Sequence, residues 1–162
     1  MIFRKYLWIF NIIGGLLSII SIMTPSSYND TTSTLYYVWM TQIGVDIDPL
    51  AIYLLREDIT LVLISWIVIF IIFSSSLVTI TLTGVYIRAS LNRKKLNWKL
   101  LIMVGLIIIS TLFWIFMMES FYNLYGFHHW ITTGGGYSPY FGIVGPFIGA
   151  FLIVIGAFSK RK

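Results

Sequence analysis

The sequence predicts a membrane all-α four-helix bundle, with both termini cytoplasmic and a small antiparallel β-sheet outside the bilayer. Three observations lead there. First, 58% of the residues are hydrophobic and only 10% are charged, against roughly 25% charged in a soluble domain. Second, four apolar runs, at about 6–23, 59–87, 98–118 and 140–158, alternate with polar stretches. Third, ten of the eleven Lys and Arg residues fall in three clusters: Arg4–Lys5, then Arg88 with Arg93, Lys94, Lys95 and Lys99, then Lys160–Lys162. All six acids (Asp30, Asp46, Asp48, Glu57, Asp58 and Glu119) lie in the stretches 24–58 and 119–139. Basic residues at the ends of spans stay on the cytoplasmic side. This alternation puts both termini and the middle turn inside, and the two acidic stretches outside, of a multi-pass cell-membrane protein.

The length suits one four-span domain, 1–162, with no separate soluble unit. The first run follows a basic start without a small-x-small cleavage pattern, so it reads as a retained span that ends at Thr24-Pro25. Its eighteen residues reach roughly 27 Å, close to a hydrocarbon core of about 30 Å. The second run is longer and must tilt or project. Its Ser75, Ser76, Thr79 and Thr83 recur at helical spacing, where hydroxyls bond across helices or back to their own carbonyls.

The first outer segment, 24–58, opens with a polar turn-forming stretch, Pro25 to Thr32. Residues 33–43 are rich in β-branched and aromatic side chains and read as one strand or a hairpin. Asp46-Ile47-Asp48-Pro49 turns the chain, and Leu50 to Leu55 reads as either a short helix or a strand. In the second outer segment, 119–139, Phe127 to Thr133 reads as a further strand, followed by a reversal at Gly134-Gly135-Gly136. Three or more strands packed on helices form a stable sheet where a lone hairpin does not.

Close helix packing is expected at Gly14-Gly15 in the first span and at Gly142, Gly145 and Gly149 in the fourth, because glycines at this spacing let backbones approach. Pro146 removes one helical hydrogen bond beside them. A homo-oligomer interface is the alternative use of the same glycines.

Candidate chemistry is sparse. Glu119, His128 and His129 are the one cluster with metal-ligand character, yet adjacent histidines on a strand point to opposite faces and chelate one ion poorly. Asp46, Asp48, Glu57 and Asp58 lack the spacing of a calcium loop. The chain has no cysteine, so thiolate metal sites and disulfides are excluded. Asn29-Asp30-Thr31 matches the N-glycosylation acceptor pattern. With no charged residue in the middle of any span, and no phosphate loop or nucleophile–base pair, no enzyme, cofactor or ion pump is expected. The net charge of +5 is confined to membrane-flanking clusters, so the expected partner is an anionic inner leaflet and not nucleic acid.

Four spans, inner termini, a large first outer segment and a smaller second one resemble the claudin and peripheral-myelin-protein superfamily. The likeness is carried by Thr24-Pro25 closing the first span, by an outer strand region bearing Trp39, and by a glycine-rich last span entered through Gly136-Tyr137-Ser138-Pro139-Tyr140-Phe141-Gly142. Two features depart from it: the family's paired outer cysteines are missing, and its Gly-Leu-Trp signature is Tyr37-Val38-Trp39 here. The resemblance implies a left-handed bundle capped by an outer sheet that serves lateral association or contact between cells. The expectation is a non-enzymatic protein that binds a membrane-protein partner, or itself, through Tyr36, Tyr37, Trp39, His128 and Trp130, since aromatic residues with a polar edge dominate protein contacts. Two alternatives are an accessory subunit of a larger membrane enzyme or transport complex, and a neutral-solute channel along the Ser75–Thr83 face.

Overall fold

Long runs of Ile, Leu, Val and Phe form four helices because a helix satisfies every backbone group within its own segment, which an apolar surrounding demands. The structure, a computed structural model, describes residues 6, 8–29, 34–37, 41–44, 52–54, 59–89, 93–124 and 137–158. The helices are α1 (Trp8–Met23), α2 (Ile59–Ala89), α3 (Arg93–Leu124) and α4 (Phe141–Phe158). Three of them contain segments long and apolar enough to cross a membrane, Val62–Ile87, Leu96–Met118 and Phe141–Phe158; α1 is a shorter apolar helix. Their lengths differ sharply. The 16 residues of α1 and 18 of α4 span roughly 24 and 27 Å, whereas the 31 of α2 and 32 of α3 span roughly 46 and 48 Å.

The helices pack in a ring in which α1 touches α2 and α4, and α3 touches the same two. Gly14 lies against Gly149 and Ile153, while Ser21 lies against Gly145, so α1 and α4 run antiparallel. α2 and α3 are antiparallel too: Trp114 reaches Ser65, and Leu82 and Tyr86 pack beside the cluster that holds Leu96 and Leu100. The starts of α1 and α3 and the ends of α2 and α4 therefore share one end of the bundle.

Two apolar clusters fill the interior. Ile22, Val68, Ile72, Trp114, Met118 and Ile143 occupy one end, and Leu96, Leu100, Val104, Ile107, Ala150, Ile153 and Ala157 the other. Small hydroxyl residues are buried along the same interior: Ser18 and Ser21 of α1, Ser75, Ser76, Thr79 and Thr83 of α2, and Ser110 and Thr111 of α3. Five of these hydroxyls donate to carbonyls of their own helix: Ser18 to Gly14, Ser21 to Ser18, Thr79 to Ser75, Thr83 to Thr79 and Thr111 to Ile107. That keeps them satisfied without a partner helix.

At the end of the bundle where α1 stops and α4 starts, five short strands form one antiparallel sheet in the order β4-β3-β2-β1-β5. They are β1 (Pro25–Asn29), β2 (Thr34–Tyr37), β3 (Thr41–Gly44), β4 (Ile52–Leu54) and β5 (Tyr137–Pro139). The stretch read as one strand or a hairpin is thus the hairpin β2–β3, and Leu50–Leu55 contains a strand. One expectation changes. Pro25 to Asn29 reads as part of a turn by composition but forms a strand flanked on both sides, by β2 and β5. Neighbours on either side supply the ladder that local propensity does not, and Pro25 sits at the first strand position, where a missing N–H is tolerated. The strand expected over Phe127 to Thr133 lies outside the described residues.

Candidate functional site

The most tightly built region is the junction where α1, α4 and the sheet meet. At five glycines of α1 and α4, a Cβ atom would collide with a neighbour. At Gly149 it would meet the Ser18 hydroxyl and, at 2.5 Å, the Gly14 carbonyl; at Gly145 it would meet Ser21. At Gly14 it would strike the Gly149 carbonyl and, at 2.8 Å, Ile153. Gly15 turns to the other neighbour, with Ile80 of α2 at 2.8 Å. Adjacent glycines thus serve two different interfaces, since successive residues on a helix face about 100° apart.

Gly142 marks where the bundle hands over to the sheet. Its missing Cβ would sit 2.6 Å from the Pro25 carbonyl and 2.8 Å from Ser26 Cα. The Tyr140 amide donates to the Ser26 carbonyl at 2.8 Å, and Ser26 is fully buried. Between Pro25 and Ser27 the register with β2 shifts, leaving Ser26 as an extra residue in β1. A bulge at the root of a strand bends it, and here its carbonyl holds the start of α4. The sheet is therefore fixed to α1 through the chain itself and to α4 through hydrogen bonding and close packing.

Across the sheet, register lines up Ser138, Tyr28, Leu35, Ile43 and Ile52 in a single row, mostly apolar. The row on one side reads Tyr137, Asn29, Thr34 and Gly44. On the other side it reads Pro139, Ser27, Tyr36, Gln42 and Tyr53. Strand residues alternate between faces, so both flanking rows belong to the face opposite the apolar one. Tyr36 and Tyr37, adjacent in β2, fall on opposite faces.

Of the other sequence candidates, Asn29 ends β1 and pairs with Thr34 and Tyr137 on its two sides. Glu119 lies in the last turns of α3. Trp39, His128, His129, Trp130, Asp46, Asp48, Glu57 and Asp58 lie outside the described residues. Among the described residues no three of His, Cys, Asp and Glu gather into a group able to hold a metal.

Two interior features have no local sequence signal. The Trp114 indole N–H donates to the Ser65 hydroxyl at 2.9 Å, both residues buried, across 49 positions of chain. Asn11 is buried in α1 with its Oδ1 lacking a partner, as does Ser76 Oγ in α2. An unsatisfied buried polar group costs about 1–3 kcal/mol.

The basic residues at 88, 93–95 and 99 belong to the α2–α3 turn region, at the bundle end that also receives the start of α1 and the end of α4, next to Arg4–Lys5 and Lys160–Lys162 in sequence. The acidic stretches connect helices at the sheet end.

No protein-family model matches this chain, and no curated protein matches it.

Proposed function

We propose that the chain is a non-enzymatic four-pass protein of the cell membrane, with its basic end in the cytoplasm and its sheet outside, and that the sheet binds a membrane-protein partner or a second copy. One observation carries this reading: a five-stranded sheet rooted in the helix bundle at Ser26, Tyr140 and Gly142. A docking surface gains affinity from being held in shape before it binds. The orientation is supported by the sequence, in which basic clusters flank the start of α1, the α2–α3 turn and the end of α4 while the acids fall in the other two connecting stretches.

The neutral-solute channel draws no support from the packing. Ser75, Ser76, Thr79 and Thr83 are buried, and the two threonines return their hydroxyls to their own helix. The accessory-subunit reading does have an observation in its favour. α2 and α3 outreach α1 and α4 by roughly 20 Å, and large side chains such as Trp66, Phe70 and Phe116 stand exposed on them.

Photo-crosslinking from the β2 positions in intact membranes tests the main reading. A crosslinking residue at Tyr36 or at Tyr37, one on each face, is expected to yield a discrete adduct from one position. Labelling of neither position, with both variants folded and inserted, overturns it. An adduct seen only when α2 or α3 carries the crosslinker, together with stoichiometric companions in mild detergent, replaces it with the subunit reading.

A further inference from the structure

Helix α3 carries a notch that the packing of this chain does not use. A Cβ built on Gly105 meets nothing within 4 Å, in contrast to the collisions at Gly14, Gly15, Gly142, Gly145 and Gly149. Glycine inside a helix weakens it relative to alanine, so the notch brings no gain inside the monomer. Gly84 on α2 is open in the same way. What distinguishes Gly105 is its alignment. Trp98, Ile102, Gly105 and Ile109 follow one another at spacings of four, three and four, which places them on one stripe of the helix. Trp98 is 68% exposed, Ile102 45% and Ile109 66%. Lys99, beside Trp98, is exposed. From the basic end inward, the surface thus reads indole with a cation beside it, aliphatic, gap, aliphatic.

That order matches the chemistry of a phospholipid from head to tail. Tryptophan favours the head-group level of a bilayer, and lysine stems lie along apolar surface while their ammonium groups reach the phosphate. A flexible acyl chain fills a glycine gap that a rigid neighbouring side chain leaves open. We propose that this stripe binds one anionic phospholipid, its head group held by Lys99 beside Trp98, and one acyl chain laid over Gly105 between Ile102 and Ile109. The inference rests on α3 crossing the membrane with its basic end in the anionic leaflet.

The full-length chain, purified in mild detergent and mixed with equal amounts of dioleoyl phosphatidylglycerol and dioleoyl phosphatidylcholine, supplies the test, with retained lipids counted by native mass spectrometry. A lysine near an anionic surface is worth about 1 kcal/mol, or roughly five-fold in partition, so the first retained lipid should favour the glycerol head group by about five-fold. Exchanging Lys99→Gln should bring that preference close to parity while retention of phosphatidylcholine stays. Gly105→Leu should lower retention of both lipids several-fold with its head-group preference intact; Gly105→Ala serves the same purpose if the leucine variant does not fold. Equal retention of the two lipids by the unchanged chain, or variants that behave like it, overturns the site. A protein released from membranes by alkaline carbonate instead removes the membrane reading itself, a result separate from either lipid outcome.

Discussion

The α1–α4 and α2–α3 seams solve the same problem with opposite materials. Along α1–α4, Gly14, Ser18 and Ser21 meet Gly149 and Gly145, so backbone lies nearly on backbone. On α2 and α3 the buried side chains are large instead, Val68, Ile72, Leu100, Ile107, Trp114 and Met118, with an indole–hydroxyl bond joining the two helices. Helices in lipid gain little from apolar burial against each other, because the lipid is equally apolar. What remains is contact, obtained either by shortening the distance between axes or by interlocking long side chains. The short-distance seam also carries the sheet, through Gly142, Ser26 and Tyr140. The part of the molecule that presents a surface is thus built on its least adjustable interface.

That contrast can be broken by substitution. Gly149→Leu should have the largest effect, since its side chain would occupy the space of Ser18 and the Gly14 carbonyl. It should abolish the folded state in detergent, read as loss of a cooperative melting transition. Trp114→Ala is expected to destabilise by about 3 kcal/mol, from a large cavity and a lost hydrogen bond, measured by reversible unfolding in mixed micelles. Ser65→Ala tests the bond alone, removing the hydroxyl that accepts from the buried indole at a cost of about 1–2 kcal/mol.

Smaller effects sharpen the comparison by changing sign. Asn11→Leu replaces a buried amide whose oxygen has no partner and should raise stability by about 1 kcal/mol. Gly105→Ala should stabilise by roughly 0.5–1 kcal/mol through helix propensity, because its Cβ enters open space. The same change at Gly145 should destabilise, because there the Cβ meets Ser21. Should alanine at the two glycines shift the melting temperature in the same direction, the division between a close-packed seam and an open notch fails.

Helices were readable where a long apolar run settles the matter locally, and four helices do form over the four runs. The β2–β3 hairpin was readable as well, as one of two options for a β-branched stretch. The strand Pro25–Asn29 was not, because Pro, Ser and Asn favour turns until two neighbouring strands offer their hydrogen bonds. Nor was β5, three residues long, visible beside the glycine run that precedes it. A glycine pair spaced by four announces that something can come close. Which helix comes, and that Gly15 would turn to α2 while Gly14 meets α4, depends on how the ring closes. The Ser65–Trp114 bond belongs to the same class of fact: neither residue differs by type from many others that make no such bond.

By itself, then, the order of amino acids determined the apolar lengths, the separation of basic from acidic segments and the absence of thiol chemistry, because composition and spacing are properties of the chain before it folds. The tertiary structure alone decided that β1 lies inside the sheet, that Ser26 ties the sheet to α4, and which glycines are filled and which stand open. Each of these rests on atoms distant in sequence arriving within van der Waals or hydrogen-bond range, a condition met only when all four helices have found their places.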